Sequence, residues 1–398
     1  MSGDDVLWRG EGVTPTPPEP LPARADLVIV GGGLVGVSVA LSAARQGATP
    51  LLLERDTIAS GASGRNDGQL LLEAAEFYSR LVESRGRAVA RELLEFKCRS
   101  QRELESFLSD QGRLEEVEWI RRGSYFLAST DAEERELHAS VDLLLEDGFP
   151  VAWHDASTVA DRVGTDRFRG GLYAAEDALV QPYALTRALA EEARAAGADI
   201  REGTPVERLH GNRLVTPHGE CEAEVVVLAT NAWTGALLGR DDWIWPIRGQ
   251  ILSTDPVEPF LDVGCSTNFG YEYWRQAQDG RLVAGGFRWT DEEGERGTEL
   301  GLHDAIQTRI EGFLRELYSP RFPELRVTSR WSGTMGFSID GLPLVGPVPG
   351  RPTVWLAAGF TGYGMSIGFG VGECIAERLL QGETEYSDAP LSTSRLVP

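Results

Sequence analysis

The stretch Leu27-Val28-Ile29-Val30-Gly31-Gly32-Gly33-Leu34-Val35-Gly36 decides how this chain is read. An apolar run with the character of a buried strand feeds directly into Gly-x-Gly-x-x-Gly. An apolar helical segment follows from Val37 to Ala44, then a turn at Gln46-Gly47, then a second apolar run, Pro50 to Leu53, ending in Glu54. The order strand, glycine loop, helix, strand, acid is the dinucleotide-binding βαβ unit. Gly31 permits the tight turn, Gly33 lets the backbone approach a pyrophosphate, and Gly36 lets helix and strand pack closely. The amides at the helix start, Leu34 and Val35, then face the phosphates. Glu54 falls where an acid would bond the adenosine ribose hydroxyls, and Arg55 beside it belongs to the same candidate site.

Working outward, 398 residues are enough for a large core and two domains. The net charge of −23 argues against nucleic acid or an anionic membrane as partner. No apolar run approaches the roughly 20 residues of a membrane helix. The acidic start and the Pro-rich Thr14 to Pro22 resemble neither a secretory signal nor a basic transit peptide. Cys98, Cys221, Cys265 and Cys374 are scattered and read as reduced thiols of a cytoplasmic protein. Of 38 basic residues only Lys97 is lysine.

Residues 1–24 read as an extended tail, with Trp8 tacked onto the surface. Between Glu73 and Asp110 the spacing predicts helix, with Leu93, Phe96, Ser100, Leu104, Phe107 and Leu108 on one face. Gly123 to Ser129 reads as a strand and Ala132 to Glu146 as an amphipathic helix. A second alternating stretch follows: helix Tyr183 to Ala196, strand Asp199 to Glu202, a hairpin at Gly211-Asn212, and strand Glu224 to Thr230. Strands alternating with helices imply parallel pairing. From Trp245 to Phe287 the texture changes to alternating aromatic strands (Ile247–Ser253, Tyr271–Arg275, Arg281–Phe287), which read as antiparallel. Helix His303 to Leu317, strand Val354 to Ala357, the glycine loop Gly359 to Gly364 and helix Ser366 to Leu380 complete the chain. The fold class is α/β with an α+β part, the nucleotide domain being discontinuous.

This organisation resembles the D-amino-acid-oxidase-like superfamily of FAD enzymes, which includes glycine oxidase, sarcosine oxidase and γ-glutamylputrescine oxidase. Four segments in order carry the resemblance: VIVGGGLVG with Glu54, GASGRNDGQ (Gly61 to Gln69), EVVVLATNAW (Glu224 to Trp233) and AAGFTGYGMSIGFGVGE (Ala357 to Glu373). GASGRNDGQ lies nearest the γ-glutamylputrescine-oxidase branch, whose usual form has Gly where Asp67 stands. The resemblance implies a Rossmann-like FAD-binding domain (25–85, 165–238, 328–398) and an inserted antiparallel or mixed-sheet substrate domain (86–164, 239–327). It also implies an FAD site. Ser60, Ser63 and Gly64 would form an anion-binding nest, with Arg65, Asn66 and Gln69 near the ribityl chain or flavin ring. Val206 would contact adenine, and Ala229, Thr230 and Trp233 follow the third strand. Gly359, Thr361, Gly362, Tyr363, Gly364, Met365 and Ser366 would present a positive helix end to the flavin. Asp340 and Gly341 would close over its edge.

Enzymes of this group move a hydride from the carbon bearing nitrogen to the flavin, and the imine then hydrolyses. The five histidines are isolated and no metal-ligand spacing is present. Where relatives hold an α-carboxylate with arginine, this chain has the neighbourhood of Met335; where others use lysine, it has Ser366. Either Arg275, Arg288 or Arg330 holds a carboxylate, or the substrate has none. No cysteine stands near Met335 and no histidine in Ser60–Gln69, which predicts dissociable FAD. The lysine that oxygen-using relatives place beside the flavin is also missing, so the acceptor is O2 or another molecule. Pocket walls are expected from Tyr271, Tyr273, Trp274, Trp289, Trp331 and Tyr363, with Tyr273, Arg275 and Tyr363 foremost. The expected activity is oxidation of a small primary or secondary amine. An amino-acid oxidase with a relocated arginine and a non-catalytic flavoprotein subunit are the alternatives.

Overall fold

The computed structural model describes residues 6–9 and 20–396. Strand Arg24–Val30 buries its last four residues and runs parallel to two neighbours at once, Gly219–Leu228 and Leu51–Leu53. Val28 thereby faces Val226 on one side and Leu51 on the other, the continuous apolar pattern of a strand covered on both faces. Asp199–Arg201 adds beyond Leu51–Leu53, and Arg351–Ala358 lies parallel to Gly219–Leu228. Leu344–Val348 and the hairpin Arg208–His210/Arg213–Thr216 complete this eight-stranded sheet.

Helix Leu34–Arg45 packs against Pro182–Ala195 and Gly364–Leu380. The approach is close enough to require glycine. A Cβ on Gly36 would stand 2.0 Å from the Gly31 carbonyl oxygen, and one on Gly372 2.4 Å from Ser38 Cβ. Helix Arg87–Asp110 packs on Gly364–Leu380, and Leu93, Phe96, Ser100, Leu104, Phe107 and Leu108 are all buried.

The second eight-stranded sheet has the order Val327–Ser338, Ile244–Pro256, Arg281–Gly286, Glu272–Gln276, Gly264–Thr267, Ser124–Leu127, Gly170–Ala174, Val151–Asp155. All pairings are antiparallel except Gly264–Thr267 with Ser124–Leu127. Trp274 is fully buried beneath it and donates its indole N–H to Tyr318 Oη at 2.7 Å, fixing helix Asp304–Tyr318 there. A three-stranded sheet of Gln69–Leu70, Ala178–Leu179 and Ile120–Arg121 lies apart from these two.

The structure redraws three details of the sequence reading. Val327–Ser338 and Gly170–Ala174, grouped above with the nucleotide half, are hydrogen-bonded into the second sheet. Val327–Ser338 pairs with Ile244–Pro256 from Ile244↔Ser338 to Thr254↔Val327. Conversely, Arg87–Asp110 covers the nucleotide-side helix Gly364–Leu380. Trp8 is not a surface residue: it is 7% exposed, and its Nε1 donates to the Asn66 carbonyl at 2.7 Å. The rest of the expected tail, 1–5 and 10–19, lies outside the described residues.

Candidate active site

The C-terminal ends of the parallel strands, where ligands bind in open α/β sheets, open into a cavity of about 400 Å³. Gly31, Gly33, Leu34 and Val35 of the glycine loop line it, with Glu54 and Arg55 from the end of the second strand. Glu54 is buried; its Oε2 accepts the Gly32 amide at 2.6 Å and its Oε1 the Asp56 amide at 2.9 Å. Burial pushes its pKa up while those amides pull it down. Gly32 is the unforeseen partner here: a Cβ on it would lie 2.9 Å from Glu54 Cβ. The Arg55 guanidinium sits 3.9 Å over the Trp233 ring, and both line the cavity with Pro205, Val206, Glu207, Ala236 and Leu237.

The small-residue loop contributes Ser60, Gly61, Ala62, Ser63, Arg65 and Asn66. Ser63 Oγ accepts the Leu34 amide at 2.8 Å, which fastens this loop to the start of the helix. Arg65 is buried; its Nε donates to the Ser60 carbonyl at 2.8 Å and its Nη1 to the Ser332 carbonyl at 3.1 Å. Asn66 Nδ2 donates to the Ala62 and Ser63 carbonyls, closing the loop on itself.

The remaining walls are Ala229, Thr230 and Asn231 from the third strand end, Phe360, Gly362, Gly364 and Met365 from the C-terminal glycine loop, and the second sheet. That sheet presents Gly249, Ile251, Tyr273, Gly333, Thr334 and Met335. The Tyr273 hydroxyl has room because Gly285 stands opposite, where a Cβ would come within 2.5 Å.

Several expected residues stand behind the cavity wall. Gly36 and Gly64 are packing glycines; a Cβ on Gly64 would meet the Ala59 carbonyl oxygen at 2.2 Å. Gln69 is bonded to Asp67, Ser366 Oγ accepts the Leu71 amide at 2.7 Å, and Asp340 is ion-paired with Arg395 at 2.8 Å. Gly359 donates its amide to Asn231 Oδ1, and Thr361 holds φ +50° with its amide on the Gly336 carbonyl. Trp331 is fully buried, with Nε1 on the Arg65 carbonyl at 2.8 Å. Tyr363 and Gly341 line a second cavity of about 60 Å³, and Phe360 lines both.

Among the arginines, Arg275 is 2% exposed and donates Nη2 to the Val180 carbonyl at 2.8 Å. It shares a strand face with Tyr273 but lies two residues along, roofed by the Trp8 ring at 5.1 Å, and it does not line the cavity. Arg330 is ion-paired with Glu311. Arg288 stacks over Tyr271 at 4.5 Å and Phe337 at 5.3 Å, and no carboxylate pairs with it among the described residues. Phe337 continues the alternating row of Gly333 and Met335. Arg288 therefore stacks on a residue two places along the strand from Met335, and neither it nor Tyr271 lines the cavity.

A family described as FAD dependent oxidoreductase (DAO) matches residues 26–378. The chain belongs to this family. It is 26% identical over 387 residues to glycine oxidase of Geobacillus kaustophilus, covering 94% of this chain and 98% of that one. Identity is also 26% to a probable oxidoreductase OrdL of Rhizobium meliloti (91% and 84% covered) and to human sarcosine dehydrogenase (96% and 42%). The chain thus spans under half of the last. The fold is shared with the crystal structures of Geobacillus kaustophilus glycine oxidase, at TM-score 0.79, 24% identity and 93% and 98% coverage, and of L-proline dehydrogenase from P. horikoshii, at 0.80, 22%, 92% and 96%.

The chain is therefore an FAD-dependent oxidoreductase. Its cavity fits the cofactor on its own terms. Gly31, Gly33 and Gly61 line it without side chains to fill it, the Leu34–Arg45 helix begins on it, and Glu54 stands at the strand end. No helix among the described residues is long and apolar enough to cross a membrane.

Proposed function

We propose that this enzyme oxidises a primary or secondary amine at its C–N bond, giving an imine that hydrolyses to a carbonyl compound and ammonia or a smaller amine. The observation that supports this is the character of the sheet-side wall. Gly249, Ile251, Tyr273, Gly333, Thr334 and Met335 offer packing surface, one phenol and one hydroxyl, and no carboxylate or imidazole. Such a wall excludes water and selects the neutral amine, leaving no side-chain base to be assigned. Bound FAD supplies the two-electron acceptor. The chain's own part is to orient the C–H bond, Tyr273 and Phe360 bounding the space on two sides.

The cofactor is dissociable in this reading, since no cysteine or histidine lines the cavity among the described residues. The four cysteines are free and buried, in keeping with a cytoplasmic location, and the acceptor is O2 or another electron acceptor.

One observation favours a second reading. Arg288, with no carboxylate in ion-pair distance among the described residues, stacks two places along the strand from the cavity residue Met335, where an anionic group of an amino-acid substrate reaching past Met335 could be met. Anaerobic mixing of the FAD-loaded protein with paired amines and amino acids, followed by admission of air, tests both readings. Bleaching of flavin colour by any amine supports C–N oxidation, and recovery of colour in air identifies O2 as acceptor. Absence of bleaching across the whole panel would sink the proposal in favour of a non-catalytic flavoprotein.

A further inference from the structure

The one lysine among 38 basic residues is among the most buried polar groups of the protein. Lys97 is 2% exposed on the inner face of helix Arg87–Asp110. Its Nζ donates to the Glu73 carbonyl and lies 5.2 Å from the centre of the Tyr363 ring. No carboxylate is within ion-pair distance of it among the described residues, although Glu73 and Asp177 act on it through space. Asp177 is held by Ser124 Oγ at 2.6 Å and by the Leu72 amide at 2.8 Å, whereas Glu73 Oε1 is buried with no partner.

An ammonium can release its proton inside a protein and a guanidinium cannot. Apart from its five histidines, the chain has therefore placed its one releasable side-chain cation here. Tyr363 caps helix Gly364–Leu380 and stands between Gly362 and Gly364, both of which line the main cavity. Lys97 and Tyr363 also share the second cavity, whose 60 Å³ has room for a few waters. Phe360 alone parts it from the main one at the positions common to both.

We propose that Lys97 is a positioning residue of the flavin compartment. It holds the Tyr363 ring at the head of helix Gly364–Leu380, and its proton, in the field of Glu73 and Asp177, sets the charge felt in the neighbouring cavity. With the proton present, the cluster favours the negative charge that bound flavin gains on reduction. With the proton lost to solvent through the second cavity, it opposes that charge. Only N–H and carboxyl O–H bonds are broken, their protons passing to solvent, and no electron moves within the cluster.

Burial pushes Lys97 down to about 8, Glu73 up to about 8 and Asp177 up to about 7. The other charged or titratable groups facing the cluster are Cys98 on the same helix, Arg121 beside Asp177, and Tyr363. Glu76, Arg85 and Asp340 line the second cavity. Of the three acids and bases at the centre, only Lys97 loses a positive charge as pH rises, and the two carboxyls then add negative charge.

The test is the reduction potential of the FAD-loaded protein between about pH 6 and about pH 9, in wild type, K97R and K97M. It needs bound FAD and no substrate, so it stands or falls apart from the amine reading. Wild type should show an extra fall in potential through about pH 8. K97M should start at a lower potential and lack that fall. K97R should keep the higher potential, with any remaining fall due to the carboxyls alone. Should K97M fail to bind FAD, E73Q takes its place. Removing the neighbouring negative charge weakens the hold on the Lys97 proton, so the break should move to lower pH. Coincident potentials in wild type and K97M, or a break unmoved by E73Q, would overturn the proposal.

Discussion

Trp331 Nε1 donates to the Arg65 carbonyl over 2.8 Å, tying the end strand of the second sheet to the small-residue loop of the nucleotide half. The indole is fully buried, so Trp331→Phe removes that hydrogen bond and leaves a gap. A loss of about 0.5–1.5 kcal/mol is expected from the hydrogen bond, with a further cost for the cavity. Denaturant unfolding should show the loss, and FAD should dissociate faster because the loop carrying Ser60 to Asn66 is slackened.

Gly36→Ala forces a Cβ to within 2.0 Å of the Gly31 carbonyl oxygen, whereas at Gly61 nothing lies within 4 Å. The first variant should purify without flavin, and Gly61→Ala should retain it. Flavin-to-protein absorbance ratios of the two proteins decide the matter; equal loading would show that the helix does not need to approach the glycine turn so closely.

If the substrate carries a carboxylate, Arg288→Met should raise KM roughly 10- to 100-fold, the worth of a charge-assisted hydrogen bond. Uncharged amines should be unaffected. Arg275→Met should instead lower stability without discriminating between the two, because Arg275 supports Val180 and Trp8 and does not face the cavity.

Glu73 should make the protein less stable as pH rises. Its folded pKa of about 8 lies above the ordinary 4.5, so between those values the unfolded chain has lost a proton that the folded protein keeps. Stability from this group is complete below about 4.5 and is withdrawn up to about 8. Glu73→Gln should flatten the fall in Tm over that window. An identical Tm–pH slope in both proteins would refute the assignment.

Heating should release FAD into the supernatant, leaving colourless protein, because the cavity position that sequence comparison marks for a tether is Met335. Flavin remaining with acid-precipitated protein would contradict this.

The glycine loop, its flanking strands and Glu54 were legible because each rests on local geometry that only a few residue types permit. The face of helix Arg87–Asp110 was legible for the same reason, its 3.6-residue period being a local property. Arg275 was misplaced because strand alternation gives the face of a side chain but not what covers it: Trp8, remote in sequence, roofs it. Gly249, Ile251, Gly333 and Thr334 escaped notice because small and apolar wall residues look like any strand. Lys97 was visible as a compositional oddity, but its neighbours come from Glu73, Asp177 and Tyr363, which no spacing rule connects.

Strand Arg24–Val30 has its partners at Leu51–Leu53 and Gly219–Leu228, and the latter is flanked in turn by Arg351–Ala358. During translation the first strand therefore leaves the ribosome long before its sheet can close. The cavity wall at Phe360 to Met365 emerges after all of these strands. A nascent chain cannot complete the FAD cavity until those residues are made, so until then the cofactor cannot protect its exposed apolar strand edges. Truncations that remove only the final helix should then yield aggregated, colourless protein, and flavin supply should affect folding yield after release more than during synthesis.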